Sequence, residues 1–187
     1  TIYRHAPHRG ELVRIGLGLA MRRWDFPGLE GPWRSVLRTW ALSVWTFWAA
    51  HPGAVVEAQR GALPDEVAEL ARRLGAALVS QGFGPEEAVL AVDLVLDLAT
   101  DSGHREELAR ALPAGRRLHD GAEEVWRVGP RGVRPRPAGT ATGAAGEGID
   151  AAMRAAIRTA PEAWFAAKRE VVLRGIAAGR ERGGAHG

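Results

Sequence analysis

Residues 33–53 read WRSVLRTWALSVWTFWAAHPG, and this stretch decides the fold. Trp33, Leu37, Trp40, Val44, Phe47, Trp48 and His51 recur at helical spacing and share one broad face, with Val36 extending its edge and Trp45 toward the side. The spacing predicts a helix over 33–50, roughly 27 Å long at 1.5 Å per residue. An apolar surface this wide predicts burial on more than one side. His51-Pro52-Gly53 then ends the helix, because proline lacks the amide proton and disfavours helix in the residue before it.

Working outward, helix signals dominate. Glu11 to Arg23 carries Leu12, Ile15 and Leu19 as one apolar stripe, although Gly16 and Gly18 each cost about 1 kcal/mol relative to alanine. Pro27-Gly28 and Gly31-Pro32 break the chain. A short helix follows over 54–60, and Asp65 is expected to cap another running through Ser80. Gly82 supplies its C-terminal glycine, and Pro85-Glu86-Glu87 opens a helix expected to reach Ser102. That helix is apolar almost all round, and its only charges after the first turn, Asp93, Asp97 and Asp101, lie on a single line. Residues 106–112 and 122–128 read as further helical pieces. Residues 127–148 hold repeated Gly and Pro with Arg131, Arg134 and Arg136, the composition of a loop or linker. Ile149, Met153 and Ile157 recover a helical stripe, and Pro161 opens a last helix bearing Trp164, Phe165, Val171, Val172, Leu173 and Ile176. Val and Ile nowhere alternate between hairpin turns, so the fold class is all-α.

With 187 residues, 46% of them hydrophobic, the chain can build one sizeable core. A net charge of +3 from 25 basic and 22 acidic groups points only weakly to a nucleic-acid surface. The absence of cysteine excludes disulfides and thiolate chemistry, and suits a reducing cytoplasm. The most apolar run, 40–50, is too short to span a bilayer. Asp101, Ser102 and His104 are triad residue types, but sequence neighbours cannot readily align nucleophile, base and orienter, and no nucleophile elbow accompanies them. Gly16 and Gly18 follow no strand and make no dinucleotide loop. A non-enzymatic protein without metal or cofactor is expected.

The opening residues Thr1-Ile2-Tyr3-Arg4-His5, with Arg9, Glu11 and Leu12 behind them, resemble the end of the recognition helix and the start of the next helix in the tetracycline-repressor (TetR) family. The resemblance continues through Trp33-Arg34, His51-Pro52-Gly53, Gly82-Phe83, Pro85-Glu86-Glu87-Ala88, Ala163-Trp164-Phe165 and Leu173-Arg174-Gly175-Ile176. It implies that residues 1–10 are the remnant of a helix-turn-helix domain needing about forty preceding residues. Residues 11–187 would then be the ligand-binding and dimerisation domain. It also implies a homodimeric repressor released from operator DNA when a small hydrophobic or aromatic effector binds. Thr1, Tyr3, Arg4, His5 and Arg9 would face DNA, with Tyr3 and Arg9 on phosphates and Thr1 or Arg4 nearer the bases. Arg9 stands where the family usually has lysine, and Ala6-Pro7 departs from its usual apolar-then-basic junction.

The resemblance places the effector pocket among the helices containing Trp40, Val44, Ala58, Val89 and Val92. Trp40 and Trp48 are expected to line it with Trp24, since indoles combine apolar walls with a hydrogen-bond donor. Asp93 beside them would favour a cationic ligand. The dimer interface would use Leu90, Leu94, Leu98, Phe165, Val172 and Ile176 as a four-helix packing. Two readings stand as alternatives: an all-α small-molecule-binding protein without a DNA role, and a purely structural helical dimer.

Overall fold

The computed structural model describes residues 8–61, 63–111 and 159–183, with residues 149, 152, 155 and 156. The regular structure among them is helical: α1 (Arg9–Arg23), α2 (Trp33–Ala50), α3 (Ala54–Gln59), α4 (Asp65–Val79), α5 (Pro85–Ala111) and α6 (Pro161–Gly183). The expected DNA-facing residues Thr1, Tyr3, Arg4 and His5, the linker over 127–148, the helical piece over 122–128, and Met153 and Ile157 lie outside the described residues. Contacts divide the chain into two units, 1–107 with 165–187, and 108–164. The core and the candidate sites belong to the first.

Helix α2 is the axis of that core. Val36, Leu37, Trp40, Ala41, Val44, Trp45, Phe47 and Trp48 are all buried, so its apolar surface is covered on several sides. Trp45, read from spacing as lateral, is interior and stacks on Phe165 with centroids 5.4 Å apart. Phe26 stacks on Trp40 at 5.4 Å and 6°, bringing the 24–32 connection back over the helix. From α4, Leu70, Leu74 and Leu78 enter the core at successive i+4 positions.

Three expectations are corrected. In α1 the stripe Leu12, Ile15 and Leu19 is exposed, and Leu17, Gly18 and Met21 face inward instead. Burial of Gly18 explains the choice, because a Cβ there would meet the Glu66 carboxylate of α4, which already pairs with Arg22. Asp65 is the first helical residue rather than the cap, a position held by Pro64 without a side-chain bond; the Asp65 carboxylate reaches Arg14 at 3.7 Å. His8 does cap α1, its Nδ1 accepting from the Glu11 N–H at 3.1 Å.

The third correction concerns the chain after Ser102, where α5 continues without a break to Ala111. Gly103 does not end the helix. It admits Trp48 of α2, whose Cβ would lie only 2.9 Å from a Cβ built at that glycine. Trp48 is held there by donation from Nε1 to Thr100 Oγ1 at 3.1 Å. Gly103→Ala should therefore destabilise the fold by about 1–3 kcal/mol, reversing the gain of up to about 1 kcal/mol that removing a helical glycine normally gives. Urea unfolding measures it, and a rise in midpoint would show that the α2–α5 approach is looser than described.

Helix α6 closes the bundle through its own contacts. Arg38 of α2 makes two hydrogen bonds to Glu170, at 2.8 and 2.9 Å, and these hold the Glu170 carboxyl below its usual range. Near the far end of α6, the Arg180 guanidinium lies 3.9 Å over the Phe83 ring, donates to the Gly82 carbonyl at 3.0 Å and pairs with Glu87 at 3.7 Å. Antiparallel α5 and α6 are thus neighbours; burial holds the Lys168 ammonium of α6 below the usual lysine range, Arg105 of α5 adds to that and Asp101 opposes it.

Candidate functional site

The residues expected to line an effector pocket divide between core and surface. Trp40 is fully buried and donates from Nε1 to the Gly28 carbonyl at 3.2 Å. Trp48 and Val44 are buried beside it, Trp48 lying edge-on to Phe47 at 5.2 Å. Trp24 is half-buried, edge-on to Phe47 at 5.4 Å and bonded through Nε1 to Ser43 Oγ at 3.0 Å. Val92 is buried and Ala58 half-buried against the core. Each of Trp24, Trp40 and Trp48 meets an aromatic neighbour, Phe26 stacked on Trp40 and Phe47 in T-shaped contact with Trp24 and Trp48, and their donors are satisfied within the protein. Trp45 differs: its buried Nε1 has no partner.

Val89 and Asp93 are not brought to this group. Val89 is 68% exposed and Asp93 is exposed too, because α5 turns Ala88, Ala91, Val92, Val95 and Ala99 inward. The line Asp93, Asp97, Asp101 faces outward, and Asp101 pairs with Arg105 at 3.0 Å. Of the expected interface residues, Leu90 and Leu94 are exposed, and Leu98, Val172 and Ile176 are half-buried against the core. Phe165 is interior instead, held against Trp45 and under the Arg169 guanidinium at 5.6 Å.

Open space occurs elsewhere. A recess of about 470 Å³ lies between α1 and the turn leading into α3. Its α1 wall carries Arg9, Val13, Gly16, Leu17 and Ala20; the opposite wall carries His51, Pro52, Gly53, Ala54, Val56 and Glu57. The turn is shaped by Gly53, whose φ of +83° suits glycine, and its N–H donates to Glu107 of α5. At the rim, Arg9 meets Glu57 at 3.0 Å, and Glu57 also takes Arg60 at 3.3 Å. His51 sits 4.4 Å from Phe47 and 5.9 Å from Trp24, with Nδ1 at 2.8 Å from the Phe47 carbonyl oxygen. A shallower recess of about 310 Å³ is lined by Trp33, Arg34, Ala177, Arg180 and Glu181.

Sequence reasoning missed most of the larger recess. The available signal was the pair of small residues Gly16 and Ala20, four apart on α1, opposite the His51-Pro52-Gly53 turn. Arg9, expected to touch DNA, is exposed and stands at the rim of this recess.

No protein-family model, curated protein or solved structure matches the chain. Among the described residues, no helix is long and apolar enough to cross a membrane.

Proposed function

We propose that this chain is the effector-sensing and dimerisation part of a tetracycline-repressor-type transcriptional regulator, a non-enzymatic cytoplasmic repressor that leaves its operator when a small hydrophobic or aromatic ligand binds. The observation that carries this reading is the run Thr1 to His5, which is followed after three residues by a helix beginning at Arg9, the order in which a recognition helix meets its connecting helix. An all-helical domain behind that junction supports the reading, as do exposed apolar residues on α5 and α6 suited to a second copy. The α1–α3 recess also favours the alternative of a small-molecule-binding protein with no DNA role.

A DNA-shift titration separates the two. The full-length protein, including whatever precedes Thr1, is titrated on its own upstream region with and without candidate effectors. A shifted band that an effector releases is the expected result. Absence of any shift, with no helix-turn-helix encoded before Thr1, would leave the binding-protein alternative.

A further inference from the structure

We propose that the α1–α3 recess binds a neutral, mainly apolar molecule carrying one hydrogen-bond donor, which His51 accepts through Nε2. The proposal deepens the effector-sensing half of the reading above and does not depend on its DNA-binding half. At about 470 Å³ the recess falls within the range of roughly 300–1,000 Å³ that holds small organic ligands. Val13, Leu17 and Ala20 on one side, and Pro52, Ala54 and Val56 on the other, give it apolar walls. Gly16 widens it, since a Cβ there would meet nothing within 4 Å.

The polar groups select the ligand. Glu57 is already shared by Arg9 at 3.0 Å and Arg60 at 3.3 Å, so the rim has no free carboxylate for a cation, and an anion would have to compete with Glu57 for Arg9. His51 is the acceptor that remains. A carbonyl oxygen only accepts, so the bond to Phe47 places the proton of the neutral ring on Nδ1 and leaves Nε2 with its lone pair. Nε2 has no partner among the described residues and is not one of the sealed polar atoms. Phe47 and Trp24 pack against the ring, and in the proposed complex Nε2 is the atom that faces the ligand. Phenols and long-chain alcohols have the required chemistry.

Calorimetric titration with 4-hexylphenol and its methyl ether, 4-hexylanisole, tests this on the whole chain without DNA. The phenol should bind about fivefold more tightly than the ether, the difference one neutral hydrogen bond makes. His51→Phe keeps a ring between Phe47 and Trp24 but removes the acceptor, and should bring the two probes to equal affinity. Gly16→Leu fills the recess while improving helix propensity; it should weaken the phenol at least about tenfold with melting temperature held or raised. Equal affinity of the two probes for the native chain, undiminished binding to Gly16→Leu, or no saturable phenol binding would each overturn the proposal. Such a failure would leave the DNA-shift result to decide the regulator reading by itself.

Discussion

Trp40→Ala should cost the domain about 3–5 kcal/mol, the range for emptying a large aromatic site in a packed core. The indole is fully buried, lies flat on Phe26, and is tied through Nε1 to the Gly28 carbonyl. The substitution therefore removes three things together: the apolar surface of the ring, the stacking partner of Phe26, and the bond that draws the 24–32 connection onto α2. Domains of this size hold about 5–15 kcal/mol in total, so about a fifth or more of the stability would go. The exposed Thr46 of the same helix is the control, and Thr46→Ala should stay within about 0.5 kcal/mol. Urea midpoints at constant slope give both values. A loss below about 1 kcal/mol at Trp40 would mean that the ring borders open space and packs little, which would restore it as a pocket wall.

Helix identity was legible in this sequence because the signals were local and redundant. The apolar face of α2, the stop at His51-Pro52-Gly53, and the start at Pro85-Glu86-Glu87 each follow from backbone chemistry within a few residues. Which face turns inward was less legible, because it depends on partners distant in sequence. In α1, two faces compete: Leu12, Ile15 and Leu19 are the more hydrophobic, yet the face with Gly18 is buried, where the glycine leaves room for the Glu66 carboxylate of α4. The same physics hid the continuity of α5. A glycine after an apolar run reads as a C-terminal stop, whereas Gly103 is placed to receive Trp48 from 55 residues earlier.

The candidate site follows the same division. Tryptophan clustering marked α2 as a buried helix but not the role of its rings, since a ring that walls a pocket and one that fills a core have the same helical spacing. The structure separates them through the partners of the ring atoms: Phe26 and the Gly28 carbonyl for Trp40, Phe47 and Thr100 for Trp48. The recess beside α1 arises from small side chains, Gly16 and Ala20, and small residues leave no hydrophobic pattern to read.

In the proposed homodimer, Leu90→Glu combined with Val171→Glu should leave the chain monomeric. Leu90 is 59% exposed and Val171 58%, with Val89 and Leu94 also open to solvent, on two helices that run antiparallel beside each other from Glu87–Arg180 to the vicinity of Asp101 and Lys168. Single exposed aliphatics are ordinary on a protein surface; Val89, Leu90 and Leu94 on α5 with Val171 on the neighbouring α6 are the residues the proposed second copy would cover. A two-fold arrangement of α5 and α6 brings the same patch together from both sides, so each substitution enters the interface twice. Exposed Asp93 and Asp97 set a charge condition on such a pairing, and exposed Arg174 on α6 offers the opposite sign. Four carboxylates introduced without partners should raise the dissociation constant at least about a thousandfold, at a few kcal/mol of desolvation in total. Sedimentation velocity at micromolar concentration reads the outcome directly, and circular dichroism should stay unchanged because both positions are exposed in the single chain. A native chain that sediments as a monomer, or a double variant that stays dimeric, would show that this face is not where two copies meet.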